Sequence, residues 1–223
     1  MNTNKEALLA TPIKGIIAID GPAGSGKSTA ARGLAERLGY MHLDSGAIYR
    51  CITFAVIGHD IPFEEEGRIS DMASHLKIEF VGGNDGRMRI FQNGVDRTTD
   101  IRADAVTRAV PLVARQPRVR LVANGILREL GIDGGIVCDG RDIGSEVFPH
   151  AQVKFFLTAS LAARAERTGK HPNFLEERDR IDRERAFSPL RKAEDAYELD
   201  TSRLNAAETL NILYDKALPL LPR

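Results

Sequence analysis

Gly21-Pro22-Ala23-Gly24-Ser25-Gly26-Lys27-Ser28-Thr29 fits the pattern G-x-x-x-x-G-K-[ST] at every fixed position. Ahead of it, Gly15-Ile16-Ile17-Ala18-Ile19-Asp20 is a short apolar run that suits a buried strand. Behind it, Ser28 to Leu38 reads as a helix with Ala31, Leu34, Ala35 and Leu38 on one face. Glycines let the backbone curl until successive N–H groups point at one anion, and the helix N-terminus adds its dipole. Strand, glycine-rich loop and helix together predict a nucleoside triphosphate held by Gly21 to Thr29, with Lys27 at the β- and γ-phosphates and the Ser28 hydroxyl on Mg²⁺. The expected fold is α/β: a P-loop NTPase-type three-layer sandwich around a central parallel sheet.

Working outward, Tyr40 to Leu43 is a second strand ending at Asp44-Ser45-Gly46, where Asp44 or Ser45 can cap a helix rich in apolar residues. Arg50 lies about a turn and a half into that helix, close enough to a strand end to serve a second anionic substrate. Phe63 to His75 is helical, with Glu64, Glu65 and Glu66 expected in its first turn. The period then switches to two over Lys77–Val81 and Arg87–Phe91, with Asn84-Asp85-Gly86 as the hairpin turn and a further turn at Asn93-Gly94 leading to Val95. A small antiparallel insert of this kind, within residues 63–113, is expected to serve the second substrate.

Ile101 to Val113 and Pro117 to Leu130 are helical by composition, Pro117 standing where a first helical residue tolerates it. Arg118 and Arg120 lie on the second. Gly135 to Asp139 is another buried strand, delivering Asp139-Gly140-Arg141-Asp142-Ile143-Gly144 at its carboxyl end, where open α/β sheets collect ligands. Asp139 is the candidate for the magnesium shell. Arg141 and Asp142 offer an anion ligand beside an acceptor. After a strand over Val153 to Leu157, residues 160–192 carry Arg164, Arg167, Lys170, Arg178, Arg180, Arg183, Arg185, Arg191 and Lys192, interleaved with acids, and Asn173 is expected to cap a helix there. Part of this run is a solvated, salt-bridged face. The preference for Arg, which grips phosphate bidentately, points to an arginine-rich lid over the triphosphate. Tyr197 to Asp200 is a last strand, and Asn205 with Glu208 opens a capping-box helix.

A chain of 223 residues suits one such domain spanning 1–223, and 31 basic against 31 acidic residues predict neither a nucleic-acid nor a membrane partner. Cys51 and Cys138 sit in apolar sequence and read as reduced core residues, which fits the cytoplasm. Met1 to Pro12 read as a polar leader. No N-K-x-D guanine-reading motif is present. Two anion sites and an arginine-rich cover are the parts of a two-substrate phosphotransferase, which needs positioning and charge neutralisation rather than a nucleophile.

Ile19 to Ser28, Leu43-Asp44-Ser45-Gly46-Ala47-Ile48-Tyr49-Arg50 and Asp139 to Gly144 resemble bacterial cytidylate kinases in order and spacing across nearly the whole chain. The resemblance implies γ-phosphoryl transfer from ATP to CMP or dCMP with Mg²⁺, by a monomer. It also implies that Ser45 and Arg50 serve the acceptor and that Arg120 and Asp142 read cytosine. Arg141 would contact phosphate, and Arg178, Asp182 and Arg185 would form a lid-side trio for ribose and phosphate. Lys27, Arg141, Arg178 and Arg185 are then the residues of transfer, with Arg164 and Arg167 as further lid contacts to the moving phosphoryl group. One departure stands out: Pro111 replaces a serine expected to help read the base, which bears on discrimination against uracil. A kinase of another small acceptor, or a nucleotide-binding module without transfer, remains open at this point.

Overall fold

The computed structural model describes residues 14–83 and 88–222; the expected leader, the Asn84-Asp85-Gly86 turn and Arg87 lie outside the described residues. β1 (Ile16–Asp20) is the middle strand of the main sheet. Its residues alternate between two cores. Ile17 and Ile19 pack with Leu34 and Phe155, while Ala18 packs with Leu43, Ile48 and Cys138 on the opposite face. Burial on both faces is why the strand is an unbroken apolar run.

The phosphate loop leads from β1 into α1 (Lys27–Leu38), which stops at Gly39, whose φ of 65° is the left-handed conformation glycine adopts without penalty. β2 (Met41–Asp44) and α2 (Ser45–Gly58) follow, then α3 (Glu66–Ser74). β3 (Ile78–Gly82), β4 (Met88–Gln92) and β5 (Val95–Asp96) form a separate antiparallel sheet, paired from Ile78 opposite Gln92 to Gly82 opposite Met88. α4 (Asp104–Ala114) and α5 (Pro117–Leu130) lead to β6 (Ile136–Gly140) and β7 (Val153–Thr158). The chain ends with α6 (Leu161–Thr168), α7 (Pro172–Glu184), β8 (Tyr197–Asp200) and α8 (Ala206–Ala217). The main sheet is parallel, in the order β2-β6-β1-β7-β8, with helices on both faces. Strand order reverses at β1, so a crevice opens between the carboxyl ends of β1 and β6.

Local expectations needed correction at four places. Asp44 occupies the cap position of α2, but its side chain makes no capping bond. Only Glu66 of the three glutamates lies in the first turn of α3. The helix expected from Ile101 begins as a separate 3-10 turn, Asp100–Arg102, because extended Ala103 (ψ 149°) interrupts it. His171, not Asn173, caps α7; Pro172 takes the first helical position, where its missing N–H costs nothing, and the Asn173 N–H donates to the His171 ring. The capping box of Asn205 and Glu208 forms in both directions. Among the described residues no helix is long and apolar enough to cross a membrane.

Candidate active site

Gly24 and Gly26 take φ of 78° and 88°, conformations that a β-carbon would strain, and so the loop can curl around an anion. Lys27 is buried and its ammonium group folds back to donate to the Pro22 carbonyl at 3.1 Å. Burial, helped by the nearby Arg141 cation, pulls its pKa down to about 7. At the end of β6, Asp139 accepts the Ser28 hydroxyl at 2.6 Å on one oxygen and meets the His42 ring at 2.7 Å with the other. Burial opposes ionisation of Asp139, but the His42 contact, Lys27 and Ser28 outweigh it and hold the carboxyl below its ordinary value. Asp44 shifts the other way, raised by its burial and then by the neighbouring Asp139. A hydroxyl and a carboxylate this close form a hard-oxygen pair, the donor set Mg²⁺ takes when phosphates complete its shell.

Two clefts meet at this point. The first, about 240 Å³, is walled by Ser45, Tyr49 and Arg50 of α2, Arg102, Val110 and Ala114, Arg120 of α5, Gly140 to Asp142, and Arg178, Asp182 and Arg185. The second, about 460 Å³, lies beyond the phosphate loop against Arg167, Thr168, Thr201, Leu204 and Asn205. Lys27 and Ser28 line both.

At the far end of the first cleft Arg120 is only 1% exposed; it donates to Asp142 at 2.6 Å and to the Ala114 carbonyl at 3.1 Å. Arg50 donates to the Thr107 hydroxyl at 2.8 Å. Arg141 donates to Asp182 at 2.8 Å, and Arg185 pairs with the other oxygen of that carboxylate. Burial first, then the Arg141 and Arg50 cations, lowers Arg178 to about 10. Arg185 is lowered to about 10 by burial and then by Arg120 and Arg141. Cations this crowded are primed to receive an anion.

Two arginines expected as lid contacts bond groups within the chain. Arg164 is buried, paired with Asp179 at 2.6 Å and donating to the Ala23 carbonyl at 3.3 Å, so it braces α7 against the phosphate loop. Arg167 reaches into the second cleft, donating to the Thr201 hydroxyl at 3.0 Å and to the Thr201 carbonyl at 2.5 Å. Arg180 takes the bland part of the charge run, pairing with Glu177 and Glu184 on an exposed face. Pro111 is exposed and does not line the cleft; Val110 and Ala114, a residue before it and a turn after it, do. Sequence reasoning missed Arg102, Tyr49 and His42. Arg102 comes off a 3-10 turn inside a segment that reads as plain helix, and His42 reaches Asp139 only because β2 pairs with β6.

The family model described as cytidylate kinase matches residues 17–218. This chain belongs to the cytidylate kinase family. A cytidylate kinase of Bacillus cytotoxicus is 42% identical over 207 residues, covering 87% of this chain and 92% of that protein. The cytidylate kinase of Bacillus subtilis strain 168 is 41% identical over 205 residues, covering 86% and 91%. The matched residues 17–218 include every residue that lines the two clefts of this cytidylate kinase family member.

Proposed function

We propose that this chain transfers the γ-phosphoryl group of ATP to CMP or dCMP, giving ADP and CDP or dCDP. The observation that carries the reading is that two clefts share only Lys27 and Ser28, with a buried Arg120–Asp142 pair closing the one not built on the phosphate loop. ATP lies along Gly21 to Thr29 with its nucleoside in the second cleft. Ser28 and Asp139 hold Mg²⁺, which neutralises phosphate charge when bound. Lys27, Arg141, Arg178 and Arg185 surround the transferring group, stabilising charge as it spreads over the equatorial oxygens. Ser45 and Arg50, with Arg102, take the acceptor phosphate.

Cytosine presents an amine donor that suits the Asp142 carboxylate, and O2 and N3 acceptors that suit Arg120. Uracil turns an oxygen toward Asp142 instead, so selection rests on this pair and does not need a hydroxyl at position 111. Asp182 serves the ribose; since Arg141 and Arg185 already satisfy it, a missing 2′-hydroxyl leaves no unpaired charge and both CMP and dCMP are accepted. Residues 63–113 form the acceptor insert and 160–192 the lid, closing to exclude water. The chain works as a monomer in the cytoplasm, where the buried free Cys51 and Cys138 stay reduced.

The test is ADP release from MgATP with CMP, dCMP, UMP, AMP and GMP offered separately. Turnover with CMP and dCMP, and UMP slower by about a hundredfold, is expected. Preference for AMP or GMP, or no acceptor-dependent release, refutes the assignment.

A further inference from the structure

Asp20 is the last residue of β1, immediately before the phosphate loop, and is 4% exposed. Its carboxylate reaches across to the loop after β6. One oxygen accepts the backbone N–H of Ile143 and the other that of Gly144, each at 2.8 Å. Those two N–H groups open the wide π-helical turn Ile143–Val147, so no residue within that turn can accept them. A distant side chain therefore does what a local cap would do. Directly before the turn stand Arg141, which bonds Asp182, and Asp142, which bonds Arg120. Two parallel bonds fix both the position and the tilt of the turn.

We propose that Asp20 is a positioning residue for the phosphoryl acceptor: from the strand that feeds the donor loop, it sets where Arg141 and Asp142 point into the acceptor cleft. The inference rests on the proposed function, since it assigns Asp142 to the acceptor. Both substrates are then registered to one rigid strand end, so the distance between donor and acceptor is set by a single side chain rather than by the closing segments.

The contact is ionisable in the working range. Burial pushes Asp20 up to about 7, with Asp142 adding to the rise and the two backbone bonds and Arg141 opposing it. Cys138 faces it from β6 and the Lys154 stem from β7, the Lys154 ammonium being taken by the Pro149 carbonyl and Asp195. A protonated carboxyl presents an O–H to one of the two N–H groups, so one bond is lost. Acceptor affinity falls as pH drops through about 7, and donor affinity does not.

The test compares wild type with D20N, measuring KM for CMP and for ATP from acid to alkaline pH. Asparagine keeps the size but turns its NH₂ toward one N–H. CMP KM in D20N is expected to rise by about tenfold or more at alkaline pH, with ATP KM within about threefold. The acceptor's own phosphate titrates near pH ~6 in both proteins, so the difference between the two profiles isolates Asp20. Equal changes in both KM values, or neither changing, overturn the inference; a wild type inactive on CMP would instead overturn the proposed function. Should D20N not fold, the amide resonances of Ile143 and Gly144 in wild type decide. Loss of both amide hydrogen-bond shifts together when acid protonates the carboxyl supports the device, and amides that respond separately or never respond to acid refute it.

Discussion

Replacing Asp142 by Ala separates recognition from architecture. The Arg120–Asp142 pair is buried, with side-chain exposures of 1% and 6% and a 2.6 Å contact. Removing the carboxylate leaves the guanidinium with the Ala114 carbonyl and the face of Tyr49 but no counter-charge, and breaking a buried pair on one side costs about 3–5 kcal/mol. For 223 residues the unfolding entropy is about 0.5 kcal/mol/K, so the melting temperature should fall by about 6–10 °C. The same change removes the acceptor for the cytosine amine. CMP KM should rise by about a hundredfold while ATP KM moves less than about threefold. The double variant R120M/D142L supplies the control: an apolar pair of similar volume should recover most of the melting temperature, because desolvation of both charges is no longer required. It should still fail with CMP. Calorimetry and steady-state kinetics on the three proteins read both quantities. A D142A enzyme with lowered melting temperature but unchanged CMP KM would reduce the pair to a structural brace, and recovery of CMP use by R120M/D142L would do the same.

Other consequences are equally accessible. Lys27→Ala should lose about a hundredfold or more in kcat, since the ammonium group acts on charge that develops during transfer; near-normal turnover would remove the phosphate loop from the donor site. Because Lys27 titrates near 7 in the free chain, it is mostly neutral at about pH 8, and binding the polyanion should draw in nearly one proton there and almost none at about pH 6. Titration calorimetry in buffers of different ionisation enthalpy measures this, and equal uptake at both pH values contradicts it. The same depression means that the folded chain gives up its proton before the unfolded one, so this residue's penalty on stability is full below about pH 7 and disappears as pH rises toward 10.5. Arg164→Met should weaken ATP more than CMP and lower stability, because it leaves Asp179 buried and unpaired and frees the Ala23 carbonyl; a larger effect on CMP would contradict its role as a brace on the donor loop.

What could be read in advance and what could not divide along a physical line. The run from Ile16 to Leu38 is decided by neighbours in sequence: an apolar strand, glycines able to take positive φ, and a helix periodic in small apolar residues. The same holds for the antiparallel meander, whose strands are adjacent in sequence, and for the Asn205–Glu208 capping box, whose groups lie three residues apart. The residue types of the cleft were legible too, since Arg141 and Asp142 directly follow a strand, and Lys27 and Arg50 lie in the first turns of helices that follow strands, all on one edge. Their partners were not. Arginine is long and flexible, and which carboxylate it meets depends on helix packing: Arg164 and Arg178 share one basic run, yet one is consumed by Asp179 and the other lines the cleft. Parallel pairing brought His42 to Asp139, and the adjacency of β1 and β6 brought Asp20 to the amides of Ile143 and Gly144. Separations of this kind, about a hundred residues along the chain, leave no periodic trace, because the energy that selects them is tertiary burial rather than local propensity.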